Sequence, residues 1–421
     1  MASMDSSNRA APELRKDLEI IPTVFKGRDA FLVRDTLGLI EDPVILERDA
    51  AVIVGLLDGE RSVEDIQGCL IRRRGGVFIG RDLIEKFLAE LDGHYVLDTP
   101  RFRRARRKLI ADYGRLEVRD AFLAGQSYPS EAIALEAYLH SMLARGKREP
   151  PEADPDTICA LVAPHIEIET GKGVYARAYR SVQGLSPDTI ILLGTGHNVE
   201  GGYYSLTDKD FVTPLGRVRT DRDTVAALRD AGGGAVADGD IAHRCEHSLE
   251  FQVIFLQHLF GTGFSLVPVL CGSFHRDLSR GRRPMDIPEV SGLLGVLRDM
   301  VSKGDSRTLC VAGVDFSHIG PKFGHREAAG ALLPDARTCD QALIEAACGG
   351  DVMRFWAESK KVRDRTNVCG FSALAALLEI IGPARGVLLD YEFWQDEPAR
   401  SAVSYAAILF KRQPKHRGGR R

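Results

Sequence analysis

The chain has 421 residues, which is more than one ordinary domain and enough for two or three. Its 56 basic and 59 acidic residues nearly cancel, so the overall charge gives no reason to expect nucleic acid as a partner. No apolar run reaches the ~18 residues that cross a bilayer, and the N-terminus lacks the apolar core of a signal peptide. Eight cysteines without a CxxC pair match neither a disulfide framework nor a structural zinc site, so we expect a cytoplasmic protein with reduced thiols and no membrane contact.

Residues 21–100 predict one small α+β module. An apolar helix pattern ends at the turn signal Asp58-Gly59, and Ser62 followed by Asp65 is typical of an N-cap with its capping-box partner. A second amphipathic helix over residues 83–91 precedes the strand-like segment HYVLD. Helix, helix, hairpin is the order of a winged-helix fold.

Two stretches of this module, LLDGERSVEDI and FLAELDGHYVLD, resemble the helix-turn-helix and closing strand of the PqqD-type winged-helix domain. That resemblance implies a role in peptide recognition. Two other interpretations stay open: a generic helical domain that serves packing, and a DNA-binding domain, which the weakly basic second helix disfavours.

The rest of the N-terminal third predicts connecting segments. Residues 1–20 are expected to be disordered, and residues 101–150 predict a helical connector and a proline-rich linker. Within the connector, RFRRARRK at 101–108 carries six cations in eight residues, and we interpret it as a charged helix face between domains. The segment 131–143 has helical spacing and should pack on the large domain. At the other end of the chain, residues 413–421 predict a disordered basic tail.

Residues 151–412 predict an α/β domain with a mixed, mostly buried sheet covered by helices. Continuous apolar runs, which indicate strands buried on both faces, occur at 157–163, 189–194, 264–271, 307–314 and 402–410. Helical patterns between them occur at 249–260, 291–301 and 370–381. In open α/β sheets the functional crevice lies outside the carboxyl ends of the strands, so the residues that follow these runs are the first candidates for a site.

Polar residues follow three of the predicted strands. His165 comes after the first strand, His197 after the second, and Asp315 and His318 after the fourth. The helix pattern at 370–381 is preceded by Cys369, where the helix dipole favours a thiolate over a thiol. A further pair, Glu246-His247, stands just before the helix pattern at 249–260.

The chain also contains six longer motifs in this order: LVAPHIEIETGKGVYARAYR, ILLGTGHNV, CEHSLEFQVIFLQHLF, VAGVDFSHIG, RTNVCGFSALAALLEII and SAVSYAAILF. Together they resemble the signature blocks of the Memo family, known in prokaryotes as AmmeMemoRadiSam system protein B, over about residues 120–412. The resemblance implies a fold similar to the class III extradiol-type non-haem iron dioxygenases, with a metal pocket at the strand ends. It also implies two companions, a radical SAM enzyme and an AMMECR-type protein.

By position, the resemblance assigns the metal ligands as His165, His197 and Cys369. The residues that would line the same pocket, as catalytic candidates, are Asp315, His318, Glu246 and His247. Imidazole and thiolate suit a transition metal, with iron(II) favoured and copper or zinc as alternatives. Because a thiolate replaces the carboxylate of the usual two-histidine triad, ordinary extradiol ring cleavage is disfavoured. Either His318 or His247 would be the general acid or base, with Asp315 or Glu246 setting its tautomer.

Two motifs depart from the family pattern. After the APH motif this chain has the acidic residues Glu167 and Glu169, which predict a more negative pocket mouth. The GTGH motif is followed by Asn198, where relatives often have a second histidine. Both changes keep the proposed ligands and leave the substrate open.

Two functional hypotheses follow. The first is a metal-dependent oxidoreductase that acts on a small-molecule or peptide substrate together with the radical SAM enzyme and the AMMECR-type protein. The alternative is a non-catalytic metal-binding adaptor or accessory protein, which the cysteine-for-carboxylate exchange and the fused N-terminal module favour. A histidine beside a core strand is more often structural, and we interpret His243, His258 and His275 in that way.

Overall fold

A computed structural model of the protein describes residues 10–144, 154–303, 307–362 and 365–413. The chain divides into two compact units, Met1–Arg115 and Leu116–Arg421, here called the N-terminal and C-terminal units. The expected linker around Pro150 and Pro151 and the basic tail beyond Gln413 lie outside the described residues. Across the described ranges, no helix combines the length and the apolar character needed to span a membrane.

The N-terminal unit begins with an antiparallel sheet and continues with helices. Its described strands are β1 (Leu18–Phe25), β2 (Arg28–Asp35) and β3 (Val44–Glu47). Its described helices are α1 (Arg48–Val54), α2 (Val63–Arg73), α3 (Arg81–Gly93) and α4 (Pro100–Gly114). Lys26 and Gly27 both have positive φ, the conformation that a two-residue hairpin turn favours, and they connect β1 to β2.

This order of elements differs in part from the expected one. The segment HYVLD forms a single bridge, from Leu97 to Leu14, and the sheet of this unit comes before the helices. The capping box that was predicted at the start of α2 is confirmed: Ser62 Oγ accepts from the backbone N–H of Asp65, whose carboxylate accepts from the N–H of Ser62. The basic run 101–108 lies on α4.

A buried arginine organises the first residues of this unit. Arg15 is 2% exposed, and its guanidinium lies 2.7 Å from the carboxylates of both Asp17 and Asp35. The same guanidinium lies over the ring of Phe102 on α4. Residues 10–20, where we expected disorder, therefore contribute to the packing of the unit, and only residues 1–9 of that segment lie outside the described chain.

The C-terminal unit is a sheet covered by helices on both faces, which confirms the predicted α/β class. Its described strands are β4 (Val118–Asp120), β5 (Ile158–Ala163), β6 (Thr189–Thr195), β7 (Tyr204–Leu206), β8 (Asp210–Thr213), β9 (Gly216–Thr220), β10 (Ser265–Cys271), β11 (Thr308–Gly313), β12 (Asp315–Ile319), β13 (Ala384–Asp396) and β14 (Ser401–Arg412). Its described helices are α5 (Ala132–Ala144), α6 (Ile168–Arg180), α7 (Arg222–Gly232), α8 (His247–Phe260), α9 (His275–Arg280), α10 (Pro288–Lys303), α11 (Ala329–Cys348), α12 (Val352–Val362) and α13 (Phe371–Ile381).

The sheet is mixed, with a parallel centre. Its order is β12-β14-β5-β11-β6-β10-β9-β8-β4, with β13 beside β14 and β7 beside β10. Strands β5, β11, β6 and β10 run parallel to their neighbours in this series, and β14 lies antiparallel to β5. The DFSH motif, which we expected to follow a strand, itself forms β12 and pairs with β14.

Side chains alternate across the sheet and enter two separate cores. Ile191 and Leu193 of β6 pack on one face with α10 and α13, whereas Ile190 and Leu192 pack on the other face with α6 and α8. All four side chains are fully buried, and each contributes about 1.5–3 kcal/mol to the stability of the folded state. This two-sided burial explains why the strands have continuously apolar sequences.

One close contact brings the start of α8 onto the sheet. A Cβ atom at Gly313, the last residue of β11, would lie 2.3 Å from the carbonyl oxygen of Ser248. Only glycine allows this approach, and the approach places Glu246 and His247 beside the strand ends.

Candidate metal centre

Three parallel strands end at the same level. Gly313 of β11 pairs with Ala163 of β5 on one side and with Gly194 of β6 on the other. The residues just beyond these positions therefore meet at one edge of the sheet, as expected for the crevice of an α/β fold. His165 follows β5 there, and His197 follows β6.

The imidazole of His165 is buried and held in one orientation. Its backbone N–H donates to Asp315 Oδ1 at 2.9 Å, and its Nδ1 lies 3.0 Å from the carbonyl oxygen of Gly313. Because a carbonyl only accepts, Nδ1 carries a proton, and in the neutral ring the lone pair is on Nε2. This Nε2 lies 3.3 Å from the Sγ of Cys369.

Glu246 orients two further imidazoles. Its Oε1 lies 2.9 Å from His197 Nδ1 and 3.3 Å from His247 Nδ1, and its Oε2 accepts the backbone N–H of His197. The rings of His197 and His247 are stacked with centroids 4.8 Å apart. Glu246 is 2% exposed, and the burial that would raise its pKa is outweighed by His197 and His247, which hold that pKa below its usual value.

A tight loop presents Cys369. Asn367 has a positive φ of 49°, and its Nδ2 donates to the carbonyl oxygens of His318 and Phe323. A Cβ at Gly370 would lie 2.4 Å from the Cβ of Val314, so only glycine lets this loop lie so close to the end of β11. The thiol is thereby held beside His165 at the start of α13.

The thiol of Cys369 is surrounded by groups that stabilise a thiolate. Burial alone would raise its pKa, but His165, His318 and a hydrogen bond with His197 hold the pKa well below its ordinary value. Reciprocally, burial would lower the pKa of His165, and Asp315 together with Cys369 raises that pKa to about 9. Without a metal ion the pair is therefore an imidazolium next to a thiolate, and the thiolate is the form of cysteine that binds metals.

These donors fit a transition metal. The ligand atoms of His165, His197 and Cys369 all lie within 4.8 Å of one another. With metal–nitrogen and metal–sulfur bonds of the usual lengths, tetrahedral ligands lie about 3.5 Å apart, close to the separation between His165 Nε2 and Cys369 Sγ. Glu246 and His247 form a second group with His197 at similar separations. Borderline and soft ions prefer such nitrogen and sulfur donors, whereas magnesium and calcium prefer oxygen.

The two proton-transfer candidates have different surroundings. Burial would lower the pKa of His318, and the neighbouring Cys369 raises it above the ordinary value. Partial burial lowers the pKa of His247, against the opposing effect of Glu246. His318 Nδ1 lies 2.9 Å from the carbonyl oxygen of Phe316, so this carbonyl sets its tautomer, while the carboxylate of Asp315 bonds to the backbone of His165.

Residues that the motifs did not single out support this site. Gln252 of α8 donates to the carbonyl oxygen of Pro164 at 2.9 Å and accepts from the hydroxyl of Tyr179. Arg119 donates to the carbonyl oxygens of His243 and Glu246, which fixes the loop before α8. In the sequence, Gln252 is an amide within an otherwise apolar helix. A buried amide needs hydrogen-bond partners, so this pattern could have pointed to Gln252.

A fully buried ion pair anchors the same region. The guanidinium of Arg119 contacts the carboxylate of Glu250, and neither side chain is more than 1% exposed. Glu250 also accepts from the hydroxyl of Tyr128 and from the backbone N–H groups of Phe122 and Leu123. The segment before α5 is thus attached to α8, the helix that carries His247.

The histidines interpreted as structural have partners away from the ligand cluster. His243 is buried and its Nε2 lies 3.0 Å from the carbonyl oxygen of Ser205. His258 lies next to His140, and His275 stacks on Phe371.

Comparison with known proteins gives consistent results. The Memo-like protein family model matches residues 119–409. A MEMO1 family protein of Aquifex aeolicus is 27% identical over 389 residues, which cover 91% of this chain and 96% of the relative. MEMO1 family proteins of Methanosarcina acetivorans and Methanopyrus kandleri are 31% and 30% identical, and each match covers 70% of this chain and 99% of the relative. Since Leu116–Arg421 is less than three quarters of the sequence, the Aquifex match extends into the N-terminal unit.

Proposed function

Because this chain belongs to the Memo-like protein family, we propose that its C-terminal unit binds one transition-metal ion through His165, His197 and Cys369 and acts as a metal-dependent oxidoreductase. The observation that carries the proposal is the convergence of two oriented imidazoles and a thiolate at the carboxyl ends of parallel strands. Iron(II) is the favoured ion, with copper or zinc as alternatives. A bound ion of this kind supplies Lewis acidity and, for iron or copper, electron transfer.

The chain's own residues have distinct roles in this proposal. Glu246 holds His197 through Nδ1, so that Nε2 would be the atom that binds the ion. Asp315 holds the backbone of His165. His318 and His247 lie beside the ligands as the candidates for accepting or donating a substrate proton.

Metal analysis tests the ligand assignment. Protein purified without oxygen is analysed for elements, next to a His165→Ala, His197→Ala, Cys369→Ala variant. The matched control is a His140→Ala, His258→Ala, Cys348→Ala variant, which removes the same residue types elsewhere. We expect about one iron or copper ion per chain in the wild type and the control, and none in the ligand variant. Equal metal content in both triple variants would exclude these ligands.

Oxygen uptake tests the oxidoreductase assignment. We expect the metal-loaded protein to consume dioxygen in the presence of reductant or substrate, and the ligand variant to consume none. In His318→Ala or His247→Ala, loss of turnover with full metal content is expected for at least one of the two. Normal turnover in both variants would exclude these histidines from proton transfer.

A non-catalytic metal-binding adaptor is the second candidate. The thiolate in the position of the usual carboxylate favours it, as does the presence of an N-terminal unit in the Aquifex relative as well as in this chain. Tight metal binding without any oxygen uptake, together with a stable complex with another protein, would select this function.

The proposed partners come from the family resemblance: a radical SAM enzyme and an AMMECR-type protein. A peptide or small molecule would pass between them and this chain. Co-purification of the full-length chain with each candidate tests the pairing, and absence of a complex in both cases would contradict it.

A further inference from the structure

A carboxyl group is buried next to the strand that contains the DFSH motif. Asp340 lies on α11, is fully buried, and accepts hydrogen bonds from three hydroxyls. Ser317 of β12 donates to its Oδ1 at 2.6 Å. Ser404 of β14 and Tyr391 of β13 donate to its Oδ2 at 2.6 and 2.7 Å. Because each hydroxyl belongs to a different strand, one carboxyl group connects α11 with three strands.

Strand β12 contains a β-bulge beside this carboxyl group. Asp315 and His318 pair with residues 405 and 403 of β14, and the register shifts between these two pairs. The two residues between them, Phe316 and Ser317, therefore lie opposite Ser404 alone. Two residues facing one define a bulge, and bulges are common beside functional sites because they change the direction of side chains.

The bulge determines where two side chains of the candidate metal centre point. In a regular strand, residues three positions apart point to opposite faces of the sheet. Asp315 and His318 are three positions apart, yet both reach the ligand cluster. Asp315 Oδ2 lies 3.7 Å from the Nε2 of His165, and His318 is close enough to Cys369 to lower the pKa of its thiol. The extra residue of the bulge brings both side chains to the same side.

The hydroxyl of Ser404 stabilises the bulge. Its Oγ accepts the backbone N–H of Ser317 at 2.8 Å and donates its own proton to Asp340. A bulge interrupts the ladder of backbone hydrogen bonds, and here a side chain satisfies the interrupted N–H. Because the proton of the Ser404 hydroxyl is directed at Asp340, a lone pair is left for the N–H of Ser317. Asp340 thus orients the group that satisfies the bulge.

The other edge of β12 is bonded to the loop that carries Cys369. The carbonyl oxygen of Asp315 accepts the N–H of Gly370 at 3.0 Å. The N–H of His318 donates to the carbonyl oxygen of Thr366 at 2.7 Å. These two bonds lie on either side of the bulge, so the length of strand between them depends on it. Loss of the bulge would therefore change how the strand meets this loop.

We propose that Asp340 is a positioning residue for the candidate metal centre. Through its two serine partners it maintains the bulge of β12, and the bulge keeps Asp315 and His318 directed at the metal ligands. The description of the bulge rests on the contacts above, and the use of His318 in proton transfer rests on the proposed function. The described hydrogen-bond partners of Asp340 include none of the proposed ligands, so it acts through the strand.

The imidazole N–H signals of histidine test the positioning without an assay of activity. The Nδ1 of His318 lies 2.9 Å from the carbonyl oxygen of Phe316, within the bulge. In metal-free, full-length protein labelled with nitrogen-15 histidine, this N–H should give a protected NMR signal, assigned by its absence in His318→Ala. We expect Ser404→Ala and Asp340→Leu to shift or lose the signal. Asp340→Asn should keep it, since an amide of the same shape can accept from one hydroxyl and donate to another.

Thr213→Val is the matched control, near the opposite edge of the sheet. The hydroxyl of Thr213 accepts the backbone N–H of Leu215 and donates to Gln257, as the hydroxyl of Ser404 does at the bulge. Its removal leaves the same kind of N–H without a partner and should leave the His318 signal unchanged. An unchanged signal in folded Ser404→Ala would overturn the proposal, as would an equal change in the control. Ser404→Ala is the smaller substitution and decides the test if Asp340→Leu does not fold.

Turnover separates this proposal from the proposed function. At full metal content, Ser404→Ala should lower kcat by up to about 100-fold, because a small misplacement of a proton-transfer group is enough for such a loss. Thr213→Val should keep the wild-type kcat. If the wild type turns over and Ser404→Ala is equally fast, the positioning role fails. If the wild type shows no turnover, the proposed function fails, and the His318 signal alone decides whether Asp340 positions this side chain.

Discussion

The Nε2 of His165 lies 3.3 Å from the Sγ of Cys369, although 204 residues separate them in the chain. The first residue follows strand β5 and the second precedes helix α13. Their contact depends on the parallel strands ending at one level and on the close approach of Gly370 to Val314. This contact places an imidazole nitrogen and a thiol sulfur close enough together to bind one metal ion.

A first prediction concerns the protonation of Cys369. Because its pKa is well below the ordinary value, the residue should be a thiolate throughout the range from pH 6 to pH 8. In metal-free protein, we expect its alkylation by iodoacetamide to proceed at a nearly constant rate over this range, as measured by mass spectrometry of the labelled peptide. An ordinary cysteine, with a pKa of about 8.5, would react almost tenfold faster with each added pH unit, and such a profile at Cys369 would contradict the prediction.

A second prediction concerns Glu246. Its carboxylate fixes the ring of His197, and loss of such an outer partner usually lowers metal affinity by about 10- to 100-fold. We expect Glu246→Gln to lose affinity by this factor in competition with a chelator. Glu136→Gln, an exposed carboxylate away from the site, is the control and should match the wild type.

A third prediction concerns the buried ion pair of Arg119 and Glu250. Removing one partner leaves the other charge buried without compensation, which costs about 3–5 kcal/mol of unfolding free energy. We expect Arg119→Met to lose this amount in urea denaturation, and Arg119→Met, Glu250→Gln to lose less than the sum of the two single changes. Additive losses would mean that the two side chains do not interact.

A fourth prediction concerns pH and His243. Burial lowers the pKa of this imidazole to about 4, below the ~6.5 of the unfolded chain, so the unfolded state takes up a proton first as pH falls. The folded state is therefore penalised below pH 6.5, and the penalty grows until about pH 4. Between pH 7.5 and pH 5, His243 should cost the wild type about 2 kcal/mol of stability.

The variant His243→Gln isolates this effect. Its own stability deficit relative to the wild type should shrink by that amount as pH falls from 7.5 to 5, since glutamine does not titrate. A deficit that stays constant across this range, measured by urea denaturation at each pH, would show that His243 does not titrate on unfolding.

Much of the C-terminal unit was predictable from local sequence. The strands β5, β6, β10, β11 and β14 appear as continuous apolar runs because both faces of the sheet are buried. The N-terminal unit was harder, since β1 to β3 are half-exposed and their apolar runs are short. The segment VILE forms β3 directly before α1, and its sequence does not mark the change from strand to helix because a short apolar run fits both periods.

The sequence by itself determined which side chains stand at the ends of buried strands and before the helices, because hydrophobic periodicity and the family motifs are local signals. Only the tertiary structure decided which of them meet. Strand register brings His165 and His197 to one level, and a glycine contact brings the segment of Glu246 onto β11. Asp315 accepts a hydrogen bond from the backbone of His165, whereas His318 bonds to the carbonyl oxygen of Phe316. Such partners depend on distances across the sheet edge, and the spacing of residues along the chain does not encode these distances.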